Sequence, residues 1–347
     1  MRLAKTLLCV ALIFSALPPF VAAQKINTSY ISTTPGSSSV IWIAKDARIF
    51  EKHGFDATVI FISGSVRGIQ AILAGEIPIG EGGGPGLASA RLAGGDVVAI
   101  AGNVNVLPYY LVSDPSIKKA ENLKGKIGGT HIAGTTAEFA LKVGLKRIGL
   151  DPAKDVSLRV IGGAIDRMVA LQKGIVQFTV VTEAGKAIAE KLGYPTVVDM
   201  AALQIPFPQN GVYTSTKLIR ENPDMVRRYM RAYTEAIHFF KTRKEDTIKI
   251  MSKYSRLEER KTLEEAWDWH AKFIPEAPYA PVEGYQLILQ DMAATNPKAA
   301  QANAKDLVDS RFVKELEDSG FIKNLYKKWR SGSSTVPPFK RSTSDLM

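Results

Sequence analysis

The chain has 347 residues, 46% hydrophobic and 23% charged, with a formal net charge of +11. This is too long for one ordinary core and suits two domains, and the composition is that of a folded globular protein rather than a disordered or fibrous one. Its one cysteine, Cys9, lies in a leader segment, so the chain beyond that leader excludes disulfides, thiol catalysis and cysteine metal sites.

Arg2 and Lys5 form a basic start, Leu7–Leu17 is apolar, and Val21-Ala22-Ala23 places small residues before Gln24. That is the pattern of a secretory signal peptide over residues 1–23, cleaved after Ala23. The apolar run falls short of the roughly 20 residues a membrane span needs, and Pro18-Pro19 interrupts it. Basic residues are densest around Arg227, Arg228, Arg231, Lys241, Arg243 and Lys244, where they alternate with acids. They read as solvated helix faces, and export argues further against a nucleic-acid partner.

Past the leader, Lys25–Ser32 is a predicted strand and Thr33–Ser39 a turn rich in Gly, Pro and Ser. A helix is expected from about Val40 to His53, then strand, helix and strand across Ala57–Gly80. Gly82-Gly83-Gly84-Pro85 opens another helix, and Val97–Ala101 is a buried strand. Tyr109–Ser113 leads out of this lobe. Lys126–Gly128 is a short strand, Thr135–Ile148 a helix, and a further helix lies near Glu183–Leu192 before Thr196–Asp199 closes the lobe. Strands alternating with helices imply parallel sheets covered on both faces. Val212–Thr214 returns the chain to the first lobe. Val226, Tyr229, Met230, Tyr233, Ile237 and Phe240 then fall at helical spacing and form one core-facing stripe.

One unit occurs twice. Gly64-Ser-Val-Arg-Gly-Ile-Gln-Ala-Ile-Leu-Ala-Gly75 is matched by Gly163-Ala-Ile-Asp-Arg-Met-Val-Ala-Leu-Gln-Lys-Gly174. Each copy follows an apolar run (Thr58–Ile62, Ser157–Ile161) and precedes another (Ile77–Gly80, Gln177–Val181). The repeat predicts two similar α/β lobes with a cleft between them, where small ligands bind.

In open α/β sheets, ligands sit beyond the carboxyl ends of the strands, near helix N-termini. That rule selects, in the first lobe, Ser37 and Ser38, Gly64 and Ser65, Gly83 and Gly84, and Asn103. In the second it selects Gly134, Thr135 and Thr136, Gly163, and Thr182 and Glu183. Glycines let a backbone approach a ligand, and free N–H groups at a helix start favour an anion. Gly134-Thr135-Thr136 is the strongest single candidate, because two hydroxyls begin a long helix, and Thr135→Ala is expected to weaken binding without unfolding the protein. Arg67 offers a cation or is an exposed first-turn residue. Tyr109 and Phe207 either stack on a ligand ring or pack the hinge. The four histidines have no metal-ligand spacing, and no nucleophile elbow or phosphate loop occurs.

Several longer stretches carry a family resemblance. They are Trp42-Ile-Ala-Lys-Asp-Ala-Arg-Ile-Phe-Glu-Lys-His-Gly54, Gln70-Ala-Ile-Leu-Ala-Gly-Glu-Ile77, Asn122-Leu-Lys-Gly-Lys-Ile-Gly128, Gly149-Leu-Asp-Pro-Ala-Lys-Asp155, Arg167-Met-Val-Ala-Leu-Gln-Lys-Gly174 and Val308-Asp-Ser-Arg-Phe-Val-Lys-Glu-Leu-Glu-Asp-Ser-Gly-Phe321. Through them the chain resembles the periplasmic solute-binding proteins of ABC importers for nitrate, sulfonates, taurine and thiamine pyrimidine precursors. The resemblance implies an α/β type II periplasmic-binding-protein fold, with two α/β lobes joined by a two-strand hinge. Lobe one would comprise 24–108 and 213–347, and lobe two 109–212 with the hinge crossovers. It implies a monomer in the periplasm that captures a small solute, without catalysis or cofactor, and delivers it to an ABC importer permease in the inner membrane. Basicity and helix termini favour an anionic or zwitterionic solute, and a neutral heterocycle stays open should Tyr109 and Phe207 face the cleft. Gly128-Gly-Thr-His-Ile-Ala-Gly134 departs from the usual family segment at the cleft, so ligand specificity does not transfer. Two alternatives stay open: an enzyme on the same fold related to pyrimidine precursor synthesis, and a sensor subunit for a membrane receptor.

Overall fold

The computed structural model describes residues 23–330 except Ser37 and Gln204. The predicted leader therefore lies outside the described residues, apart from Ala23. The first half runs β1 (Gln24–Tyr30), α1 (Ser39–Asp46), α2 (Ile49–Lys52), β2 (Phe55–Phe61), α3 (Ser65–Leu73), β3 (Ile79–Gly82), α4 (Gly84–Leu92), β4 (Val98–Val106) and β5 (Tyr110–Ser113). It continues through β6 (Ile127–Thr130), α5 (Thr136–Arg147), β7 (Ser157–Val160), α6 (Ala164–Gln172), β8 (Phe178–Val181), α7 (Glu183–Lys191), β9 (Thr196–Asp199) and β10 (Pro206–Thr214). The rest is helical: α8 (Thr216–Glu221), α9 (Pro223–Thr242), α10 (Lys244–Ser255), α11 (Arg260–Phe273), α12 (Val282–Ala293), α13 (Pro297–Gln301), α14 (Arg311–Asp318) and α15 (Phe321–Arg330). No helix among the described residues is long and apolar enough to cross a membrane.

The expected helix from Val40 to His53 is two helices. Arg48 adopts a left-handed conformation (φ 57°) and breaks it. Buried Trp42 stacks on Tyr254 of α10 at 5.1 Å and anchors α1 in the core. All six residues of the α9 stripe are fully buried, so that face packs inside the protein.

The sheets are mixed rather than parallel. One holds β7-β6-β8-β5-β9, with β6 parallel to β7 and β8 while β5 runs antiparallel to β8 and β9. Elsewhere β1 pairs in parallel with β2, and β10 lies antiparallel between β3 and β4. Topology supplies the reason. Both sets of parallel strands aim their carboxyl ends at one cleft. A strand passing directly from one lobe into the other enters it carboxyl-face first and runs against its new neighbours. β5 and β10 are those strands, and each lies beside the third strand of its lobe. The repeated sequence unit becomes β2-α3-β3 in one lobe and β7-α6-β8 in the other.

The interlobe junction is tightly packed. An added Cβ at Gly64 (φ +85°) would lie 2.7 Å from His131 Cε1, and one at Gly83 would lie 2.7 Å from Thr136 Cγ2. These glycines are needed for the lobes to approach each other.

Candidate ligand-binding cleft

The helix starts of α3, α5, α6 and α7 converge on a cavity of ≈ 310 Å³ between the lobes, at the lower end of small-molecule site volumes. Its wall includes Gly64, Ser65, Thr135, Thr136, Gly163, Thr182 and Glu183 among the expected residues. Sequence reasoning did not select His131, Arg167, Gln209, Asn210 and His270 for this wall.

The remaining expected residues lie elsewhere. Ser38 is buried behind the wall and donates its hydroxyl to Glu81 Oε2 at 2.6 Å. Gly83 sits at the interlobe contact described above. Gly84 packs against Pro208 and Ile288. Asn103 is buried within β4. Gly134 (φ +77°) makes the turn that delivers Thr135. Ser37 lies outside the described residues.

Arg167 is the central feature. It is 3% exposed and lines the cavity from α6. Its Nε donates to Thr179 Oγ1 (3.2 Å), and its terminal nitrogens donate to Gly162 O (2.8 Å) and Val180 O (3.2 Å). These acceptors are neutral. Burial draws its pKa below the ordinary guanidinium value, opposed by Tyr109 and Asp166, yet a guanidinium remains charged in proteins. The result is a fixed, dry positive charge facing a cavity.

His131 stands nearby. Its Nδ1 accepts the Ile132 N–H at 2.9 Å, so Nε2 carries the proton and is the free donor. Burial, with Arg167 and Arg67, holds its pKa below the usual histidine value. Arg67 itself is exposed and absent from the wall. Opposite, burial pushes His270 down to about 4. Its Nδ1 donates to Ala266 O at 2.8 Å and lies 3.2 Å from Glu183 Oε1. This is a neutral imidazole beside a carboxyl group, not an ion pair.

Polar atoms without partners complete the site. Ser65 Oγ, Thr182 Oγ1 and Gln209 Oε1 are buried on the wall with no hydrogen-bond partner among the described residues. Buried polar groups are normally satisfied, and leaving one unmade costs about 1–3 kcal/mol. A polar ligand in the cavity would supply the missing bonds. Thr136 and Tyr109 share a 3.3 Å hydroxyl contact on the same wall.

Thr135 lines the wall and also caps its helix. Its hydroxyl donates to Ile132 O (2.9 Å) and accepts from the Glu138 N–H (3.3 Å), capping α5. Thr135→Ala is accordingly expected to lower stability by about 1 kcal/mol through the lost cap, measured by urea denaturation. A larger effect on affinity than on stability would restore a direct ligand role.

Among the described residues, no group of three or more His, Cys, Asp or Glu side chains is placed to hold a metal ion.

Two α/β lobes, strand exchange at the hinge and a polar interlobe cavity define the architecture of the periplasmic binding proteins. The model of the NMT1/THI5-like family matches residues 37–246, and the chain belongs to that family. A protein of Brucella abortus (strain 2308), provisionally named a binding protein, is 26% identical over 269 residues, covering 76% of this chain and 82% of its own length. Among solved structures, the alkanesulfonate-binding protein SsuA from Xanthomonas axonopodis pv. citri, bound to MOPS, superposes with a TM-score of 0.69 at 16% identity, covering 83% of this chain and 99% of SsuA. The periplasmic nitrate-binding protein NrtA from Synechocystis PCC 6803 gives 0.70 at 14% identity, covering 87% and 90%. These likenesses establish the shared fold.

Proposed function

We propose that this protein is a solute-binding receptor of an ABC import system, located in the periplasm, that captures a small solute carrying an anionic group. The observation that carries this reading is Arg167: a buried cation bonded only to neutral acceptors, on the wall of an interlobe cavity. Four helix starts add partial positive charge, each contributing about 0.3–1 kcal/mol to an anion at an exposed site. His131 Nε2–H and the unpartnered Ser65 and Thr182 hydroxyls supply further donors. Closure of the lobes over the solute follows from contacts that exist only when both walls touch it. Lobe boundaries of 24–108 with 213–347 and of 109–212 belong to this reading. So do a monomeric receptor, a leader cleaved after Ala23, and delivery of the solute to an inner-membrane permease.

The test is a thermal-shift screen of the purified protein against sulfonates, nitrate, carboxylates, amino acids and pyrimidines. A ligand at one hundred times its dissociation constant adds about 2.7 kcal/mol of stability. A dose-dependent shift with an anionic class, with no product formed, is the expected result. Conversion of the ligand would replace the receptor reading with an enzyme. A shift confined to neutral compounds would remove the anion.

A further inference from the structure

Aligned on their turn glycines, the two repeats differ at two buried positions. Four residues beyond the turn glycine, lobe one has Gly68 and lobe two Arg167. Seventeen residues beyond it, lobe one has Glu81 and lobe two Val180. The pairs occupy matching places: a Cβ on Gly68 would lie 2.7 Å from Glu81 O, and Arg167 donates to Val180 O. Lobe two therefore buries a base at the cleft, and lobe one buries an acid just behind it.

Glu81 is fully buried on β3. Its Oε2 accepts the Ser38 hydroxyl at 2.6 Å and the Ile31 N–H at 3.4 Å. Its Oε1 has no partner among the described residues. The Asn210 amide of β10 faces the carboxyl group. Tyr30 of β1, Tyr213 of β10, and Tyr229 and Tyr233 of α9 lie within electrostatic reach of it. No lysine, arginine or histidine among the described residues forms an ion pair with it or offsets its burial.

An ionised carboxylate in such a place would have only neutral donors, and no cation, to offset its burial. A neutral acid fits. Oε2 then serves as the carbonyl oxygen for Ser38 and Ile31, and an Oε1–H becomes available to the Asn210 amide beside it. Ile31 and Asn210 both line the cavity. We propose that Glu81 is a positioning residue, held as a neutral acid, that ties the turn after β1 to hinge strand β10 and so fixes the lobe-one wall of the cleft. Its consequence for ligand capture rests on the receptor reading; its test does not.

Burial pushes the Glu81 carboxyl from its ordinary 4.5 up to about 8. A group that binds its proton more tightly when folded contributes its full stability below pH 4.5. That contribution is lost as pH rises to about 8. Ionisation also places a charge amid the tyrosine cluster, so the wall loosens on the alkaline side.

The experiment compares wild type, Glu81→Gln and Glu81→Ala without ligand, by urea denaturation and amide hydrogen exchange from pH 5 to pH 9. Glutamine keeps an accepting oxygen and a donating nitrogen but cannot ionise. In wild type, protection of segments 31–39 and 206–214 is expected to fall at least tenfold across the range, with loss of stability. Glu81→Gln is expected to hold both flat, and Glu81→Ala to lose protection at every pH. Protection in wild type that stays flat to pH 9, or a glutamine variant as loose as wild type at pH 9 throughout, would overturn the proposal. A failed ligand screen would overturn the receptor reading alone.

Discussion

Arg167→Met is expected to lower affinity for an anionic ligand by about 100-fold, or about 2.7 kcal/mol, in calorimetric titration. The estimate follows from one or two charge-assisted hydrogen bonds at about 1.5–3 kcal/mol each. Arg167→Lys keeps the charge but loses the planar fork, so about tenfold is expected. Methionine also leaves Gly162 O and Val180 O without this donor, so each variant's stability must be measured by urea denaturation beside its affinity. A ligand lacking the anionic group should bind wild type and Arg167→Met alike. Anion affinity within threefold of wild type in the folded Arg167→Met variant would remove Arg167 from the binding machinery.

Phe207→Ala carries the second large effect, on stability rather than binding. Phe207 is fully buried on β10 and stacks on Phe139 of α5 at 4.9 Å. It joins a crossover strand to a helix of lobe two and does not line the cavity. Truncating such a ring costs about 3–5 kcal/mol. Affinity, measured where the variant remains folded, is expected to change little. Lost affinity at unchanged stability would mean that the ring meets the ligand. Of the two roles open to Phe207 from sequence, the structure favours the hinge. Tyr109, by contrast, does reach the cavity wall.

Much of the fold was legible in the chain, because its signals are local. Glycine turns, apolar runs and helical spacing each depend on neighbours within one or two turns of backbone, and the repeat exposed the twinned lobes. Ser65, Thr136 and Thr182 were legible as helix starts beyond strand ends. Arg167 was missed, although the signal was present: aligning the two repeats sets it against Gly68. The break at Arg48 and the antiparallel course of β5 and β10 left no comparable mark.

The site's chemistry depends on distant partners. Ser38 has the local signature of a ligand-binding hydroxyl, but Glu81, 43 residues on, engages it. Thr135 looks identical to Thr136 in sequence; only the positions of Ile132 O and the Glu138 N–H commit one hydroxyl to the cap. The sequence by itself determined the α/β elements, their order and their pairing into two lobes, because backbone preference and apolar period are set within each segment. Tertiary structure alone decided which buried polar groups are satisfied and which face the cavity unpaired, because desolvation and hydrogen bonding depend on what the fold brings alongside.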